Sequence, residues 1–190
     1  LGATYIYDEV ETILTETSKG TGVQTVNGER YIAPIVVNAA GPWSGDLSKK
    51  IGIEIPIKPL KRQLFSIDTA DKFSKEIPFT FDPTGMHFRG ERSKIVVGWA
   101  TEVPFGYDFK LEKSFFEEEI WPLLAARSNH FERLKLESGW TGLYDYNYVD
   151  CNAIISDHPE MEGYFIITGF SGHGFQHAPA AGKGLSELIQ

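Results

Sequence analysis

The stretch from Thr168 to Gly182, TGFSGHGFQHAPAAG, holds the residues best suited to chemistry. An apolar run from Tyr164 to Ile167 reads as a short buried strand, and it stops in a glycine-rich turn. A helix is expected from near Pro179, since proline has no N–H to lose in a first helical turn. Strand, glycine loop and helix N-terminus together offer free backbone N–H groups and a positive dipole end to an anionic group. Glycine also lets a flat ligand lie close to the backbone. The same spacing serves a tight strand-to-helix connection with no ligand at all. It is not the fingerprint G-x-G-x-x-G, which occurs nowhere in the chain.

Other candidate groups are scattered. Tyr144, Tyr146 and Tyr148 alternate with Asp145 and Asn147, so the tyrosines share one face of a strand. They read either as an aromatic wall for a cationic amine or as an aromatic strand packed on a core. His87 and Arg89 share a strand face that could meet a carboxylate or stand in solvent. The one cysteine, Cys151, has no internal disulfide partner, and no zinc-like His/Cys spacing is present.

The elements that must position these groups follow from periodicity and turn chemistry. Thr4 to Thr15 reads as one or two strands. Gly22 to Ile32 reads as a hairpin turning at Asn27-Gly28 in a type I′ geometry. Ile35 to Val37 is a buried strand, and Ser44 is expected to cap a helix reaching about Ile51. Beyond the proline-punctuated segment Ile51 to Pro59, antiparallel strands are expected at Gln63–Asp68, Phe79–Asp82, Met86–Arg89 and Lys94–Trp99. Asp82 to Gly85 and Arg89 to Arg92 supply the turns. Phe115 to Ala126 carries a helical apolar face, bent or reset at Pro122, and Leu134 to Tyr148 is a long strand. The fold class is α+β, or mixed α/β, with an antiparallel sheet covered by helices.

A chain of 190 residues with 42% hydrophobic and 13% aromatic content builds one substantial core or two small ones. A net charge of −8 leaves no basic tract for nucleic acid. No apolar run reaches the ~18 residues of a membrane span. The sequence has no initiator Met and opens at Leu1-Gly2-Ala3-Thr4, so it is expected to be a fragment. The missing N-terminal part would hold any phosphate-binding fingerprint and targeting segment.

TGFSGHGFQHAPAAGKGLSELI resembles the C-terminal flavin loop of the D-amino-acid-oxidase/sarcosine-oxidase superfamily of FAD-dependent oxidoreductases. In that family the loop covers the pyrimidine side of the flavin ring. Val36 to Ser44, VVNAAGPWS, resembles the strand and turn that close on the FAD. Trp140 to Asn152, WTGLYDYNYVDCN, is also similar to a member of this family. Their order and separation match the C-terminal half to two-thirds of such a protein.

The resemblance implies a partial FAD-binding domain over residues 1–50, a substrate-binding domain over 51–140, and a return to the FAD-binding domain over 141–190. It implies FAD contacts at Val10 (to adenine, through the backbone), at Ala40, Gly41 and Trp43, and at Gly172, His173, Gly174, Phe175 and Gln176. N–H groups from Gly172 to Phe175 would face the flavin, with Gly174 where backbone approaches the ring. His173 and Tyr144 are the implied catalytic residues, and no metal is implied. Many amino-acid oxidases carry arginine at the position of Tyr144, and sarcosine oxidases carry lysine at that of Gln176; both contact the substrate carboxylate. The cysteine that tethers flavin in sarcosine oxidases falls at about Leu143, so non-covalent FAD is expected and Cys151 reads as an untethered thiol.

The activity implied is oxidation of an amine or N-substituted amino acid, sarcosine- or dimethylglycine-like, by hydride transfer to flavin, with the fragment alone inactive. Oxygen, an electron-acceptor protein or a respiratory complex would take the electrons. The alternative is a flavin-binding assembly factor or chaperone for a respiratory complex. The implied location is intracellular, cytoplasmic in a prokaryote and mitochondrial in a eukaryote.

Overall fold

A computed structural model describes residues 2–71, 73 and 75–190; Leu1, which opens the expected first domain, lies outside them. The chain forms two compact units, Leu1–Pro59 with Tyr144–Gln190, and Leu60–Leu143. Expectation drew the corresponding limits at residues 50 and 140. Parallel and antiparallel pairing both occur, as the mixed α/β reading requires.

The discontinuous unit is built on a six-stranded sheet. Its strands are β1 (Val10–Glu16), β2 (Lys19–Thr25), β3 (Arg30–Ile32) and β4 (Val36–Asn38). After an intervening segment come β10 (Ile154–His158) and β11 (Met161–Thr168). The path runs β1-β2-β11-β10, with β3 on β2 and β4 on β11. Residues 2–9 are not strand, which shortens the expected first element. The β2–β3 hairpin closes with Gly28 N–H on the Thr25 carbonyl at 2.9 Å. Only Gly28 has positive φ (86°) and Asn27 does not, so the turn is not type I′. Four loop residues separate the strands, and a longer loop needs one left-handed residue rather than two.

β4 and β11 run parallel, pairing Tyr164 with Val36 and Ile166 with Asn38. Along β11 the alternation buries Tyr164 and Ile166, which join Ile13, Val36, Ile53 and Met161 in one core. Helix α1 (Ser44–Lys49) lies beyond a 3₁₀ turn, Gly41–Trp43. Ser44 does not cap α1. It is the first helical residue, and its hydroxyl lies 2.8 Å from the Thr168 hydroxyl. Both hydroxyls are buried, so each would be costly to leave without a partner.

Asn38 is buried and fully occupied. The two N–H groups of its amide are shared among three acceptors within reach, the Ser44 carbonyl (3.0 Å), Ser48 Oγ (3.0 Å) and Tyr164 Oη (2.8 Å), and its oxygen accepts from Ala40 N–H (3.1 Å). Burial pushes the Tyr164 hydroxyl up from its ordinary pKa, opposed by the bonds from Ser48 and Asn38.

The continuous unit carries a five-stranded sheet in the order β6-β7-β8-β5-β9. These strands are β5 (Ile57–Thr69), β6 (Thr80–Phe81), β7 (Met86–Glu91), β8 (Lys94–Trp99) and β9 (Leu134–Asn147). Phe65 pairs with Val97 and Ile67 with Ile95, and all four are buried. A helical segment covers them: α2 (Lys113–Phe115), a π-turn (Phe116–Ile120) and α3 (Trp121–Arg127). Phe116, Ile120 and Leu124, one turn apart, enter the same core. Pro122 has no N–H for the carbonyl one turn back, and the helix widens there: Trp121 N–H bonds the Phe116 carbonyl.

Asp82 is buried beneath this helix, where its carboxylate accepts from Arg127 Nε and from Thr84 N–H (2.8 Å). The Arg127 guanidinium, then the Thr84 bonds, hold the Asp82 carboxyl well below the usual carboxylate range. A carboxyl whose pKa is lowered on folding stabilises the fold above its unfolded-state pKa, and that stability is lost as pH falls through the folded value. Urea midpoints of the chain should therefore fall as pH drops below about 4, and Asp82→Asn should lower the midpoint at pH 7 while flattening this acid dependence. Equal acid sensitivity in both proteins would refute the assignment.

Candidate functional site

β4 and β11 are adjacent and parallel, so the turn after one and the loop after the other emerge at the same end of the sheet. Crevices outside the carboxyl ends of parallel strands are where open α/β sheets bind ligands. The Thr168 hydroxyl lies 3.3 Å from the Gly41 carbonyl, tying the two connections together.

The loop after β11 is shaped by a single residue. Asp145 Oδ2 accepts the N–H of Gly169 at 2.7 Å and of Phe170 at 3.1 Å, and the Asp145 carbonyl accepts Ser171 N–H at 3.3 Å. Gly169, Ser171 and Gly172 have φ of 81°, 51° and 99°. Ser171 is held in this left-handed conformation by Asn147 N–H donating to its hydroxyl (3.1 Å) and by that hydroxyl donating to the Gly169 carbonyl (3.2 Å). At Gly172 a β-carbon would stand 2.5 Å from the Tyr144 ring, so only glycine fits.

Helix α4 (Gly174–Ile189) follows. It begins at Gly174, not near Pro179, which lies inside it. Pro179 denies a bond to the carbonyl of Phe175, a residue 97% exposed, so solvent can supply the missing donor. His173 is the N-cap and makes no side-chain capping bond. Its own N–H is taken by the Phe170 carbonyl at 2.9 Å, which removes it from the N–H groups expected to face a ligand. The next three, of Gly174, Phe175 and Gln176, have no carbonyl within the helix to pair with. They point a helix dipole's positive end outward. The rings of His173 and His177 stack at 6.1 Å.

The anticipated residues divide. Ala40 is half-buried, Gly41 opens the 3₁₀ turn and Trp43 is 49% exposed, all just beyond the end of β4. Gly172 to Gln176 and Tyr144 gather beyond the end of β11. Val10 opens β1, two strands away. Gly174 does not have positive φ, and a β-carbon there would touch Phe170 at an ordinary 3.4 Å. The constrained glycine is Gly172.

The three tyrosines have different neighbours. Tyr144 lies against Gly172, Tyr146 Oη accepts from Cys151 Sγ at 3.1 Å, and Lys58 Nζ stands 4.9 Å over the Tyr148 ring. Arg89 is engaged by Glu91 at 3.2 Å and lies over the Phe79 ring. Burial lowers the pKa of half-buried His87, and the rings of Phe79 and Phe81 flank it. Among the described residues no group of three His, Cys, Asp or Glu is arranged to hold a metal. Nor is any helix long and apolar enough to cross a membrane. Sequence reasoning missed Asp145. Its one signal was an acidic residue alternating with the tyrosines, and its partners lie 23 or more residues further on.

Replacing Gly172 by alanine should destabilise the chain by at least ~1–2 kcal/mol, the cost of left-handed backbone, with the Tyr144 contact adding to it. Gly174→Ala should stay within about 0.5 kcal/mol of wild type, as at an unstrained helix end. Equilibrium urea unfolding of the two variants checks this, and equal losses would be incompatible with the geometry.

A family model described as FAD dependent oxidoreductase (DAO) matches residues 1–188. Over 171 residues, 82% of the chain, the sequence is 36% identical to FAD-dependent oxidoreductase domain-containing protein 1 of Xenopus laevis, covering 34% of that protein. In an alignment of 209 positions, gaps included, that covers 99% of the chain, it is 28% identical to human mitochondrial dimethylglycine dehydrogenase, covering 24% of that protein. L-proline dehydrogenase from P. horikoshii superposes with a TM-score of 0.84 at 29% identity, over 97% of this chain and 50% of that one. The chain thus spans about a third or less of these curated relatives' length and half of the solved chain.

Proposed function

The chain belongs to the DAO family of FAD-dependent oxidoreductases, and on that premise we propose that it is part of an enzyme oxidising an amine or N-substituted amino acid of the sarcosine or dimethylglycine kind. The observation that carries this reading is the outward-facing N-terminus of α4, reached through the Gly169–Gly172 loop at the carboxyl end of two parallel strands. Two relatives support the substrate class by name, one a dehydrogenase of dimethylglycine and the other of L-proline. Both names denote substrates with a carbon bonded to a substituted amine nitrogen. No finding favours the assembly-factor alternative.

The residues fit FAD. Three helix-start N–H groups and an uncapped dipole suit the electron-rich edge of a flavin, and Gly172 exposes bare backbone beside them. Gly174, Phe175 and Gln176 would hold that edge, with Ala40, Gly41 and Trp43 along the remainder of the cofactor and Val10 at adenine. When bound, FAD supplies the acceptor for a hydride.

The chain's own groups do the rest. The N–H groups of Gly174 to Gln176 stabilise negative charge next to the helix start. The Tyr144 ring supports Gly172 and so fixes the loop's approach. His173, exposed at the N-cap, would hydrogen-bond the substrate. Tyr144 and Gln176 are both neutral, so a substrate carboxylate would gain hydrogen bonds from them but no ion pair. Oxygen or a carrier protein would be the final electron acceptor.

Leu143 offers no sulfur, and the Cys151 thiol is directed at Tyr146. Bound FAD should therefore be released by acid precipitation, leaving its yellow colour in the supernatant; colour retained in the pellet would contradict non-covalent binding. Anaerobic mixing of the full-length, FAD-loaded enzyme with N-methyl amino acids and cyclic secondary amines should bleach the flavin absorbance. His173→Ala should slow that bleaching without releasing FAD. A flavin that no amine in the panel reduces would refute the proposed activity.

A further inference from the structure

We propose that Asp145 is a positioning residue for the flavin loop, and that its negative charge lowers the reduction potential of the flavin held there. The proposal rests on the flavin reading above but concerns a residue which that reading does not use. Three successive backbone N–H groups, of Gly169, Phe170 and Ser171, donate to Asp145, two to the carboxylate and one to the carbonyl. The Thr168 hydroxyl lies 3.4 Å from the same carboxylate oxygen. The loop's N–H groups are therefore sorted. Those of 169–171 are turned back onto Asp145, and those of 174–176 are left for a ligand at the helix start.

This sorting has a physical cause. A run of backbone with left-handed residues at 169, 171 and 172 curls its N–H groups into a concavity that binds an anion, and here the anion is a side chain of the same unit. The residue before it in the chain, Tyr144, packs its ring on Gly172 at the other end of the loop. Residues 144 and 145, on successive positions of β9, thus grip both ends of the connection. A fixed negative charge behind the loop opposes the negative charge that flavin gains on reduction, so it makes reduction harder while keeping the loop in binding shape.

Two substitutions separate shape from charge. Asp145→Asn keeps an acceptor oxygen and removes the charge; Asp145→Ala removes both. Hydrogen exchange measured by NMR at the Gly169, Phe170 and Ser171 amides of the chain, without added FAD, should quicken about tenfold or more in Asp145→Ala and much less in Asp145→Asn. In FAD-loaded protein, Asp145→Ala should weaken FAD binding. Asp145→Asn should retain FAD but shift its potential, read by dye equilibration, to a more positive value. Exchange unchanged in Asp145→Ala, or a potential in Asp145→Asn equal to wild type, overturns the proposal and leaves the flavin reading intact. A full-length wild-type protein that takes up no FAD overturns the flavin reading itself, and the potential effect with it.

Discussion

A buried amide must have partners, and the arrangement of the discontinuous unit follows from how Asn38 finds them. Its side chain lies at the end of β4 with no access to solvent, and an unpaired polar group there costs roughly 1–3 kcal/mol. The partners are the Ser44 carbonyl and Ser48 hydroxyl of α1, the Tyr164 hydroxyl of β11 and the Ala40 N–H of the intervening turn. Strand, turn, helix and neighbouring strand are thereby fixed to one another. The chain of bonds continues through Ser44 and Thr168 to Asp145 and the loop after β11. Such a network is cooperative, because no member can leave without stranding another in a low-dielectric interior.

The loop after β11 shows how one connection can secure the fold and still leave backbone donors open. Backbone N–H groups that bond to Asp145 contribute to the fold and are spent. Those at the start of α4 contribute nothing to helix pairing and remain available. The division falls between Gly172 and Gly174, where His173 closes a turn onto Phe170. A mixed-purpose loop of this kind can be rigid without being satisfied, which is what preorganised stabilisation of charge requires.

What the sequence disclosed was local. β8 occupies Lys94–Trp99 as read, since turn residues bracket a short β-branched run. The Phe115–Ala126 apolar face and the resetting effect of Pro122 were also legible, because proline acts on its own turn. Readings failed where a residue's role is set from far along the chain. Ser44 has the chemistry of a helix cap, but Thr168, 124 positions away, claims its hydroxyl. Pro179 looked like a helix start because proline favours that position, yet the preceding loop had already supplied one at Gly174. The tyrosine alternation was real, but Tyr148 lies beyond the strand end and each ring has its own neighbour. The flavin-loop motif was visible as a motif; which of its glycines is irreplaceable depended on a ring from another strand.

The chain leaves the first unit after Pro59 and returns at Tyr144. The order in which a ribosome delivers these segments therefore matters. Residues 60–143 are contiguous, and their core can close as soon as they emerge, at the cost of short loops only. β4, by contrast, finds local partners for Asn38 in Ala40, Ser44 and Ser48 but must wait for its neighbouring strand β11 and for Tyr164, 126 positions later. During that interval the β4 edge and its buried-to-be amide stand open to whatever the cell offers, including other nascent strands. β11 and α4 are made only after residues 60–143, so a chain cut short between these segments would hold the contiguous core without the strand that pairs with β4.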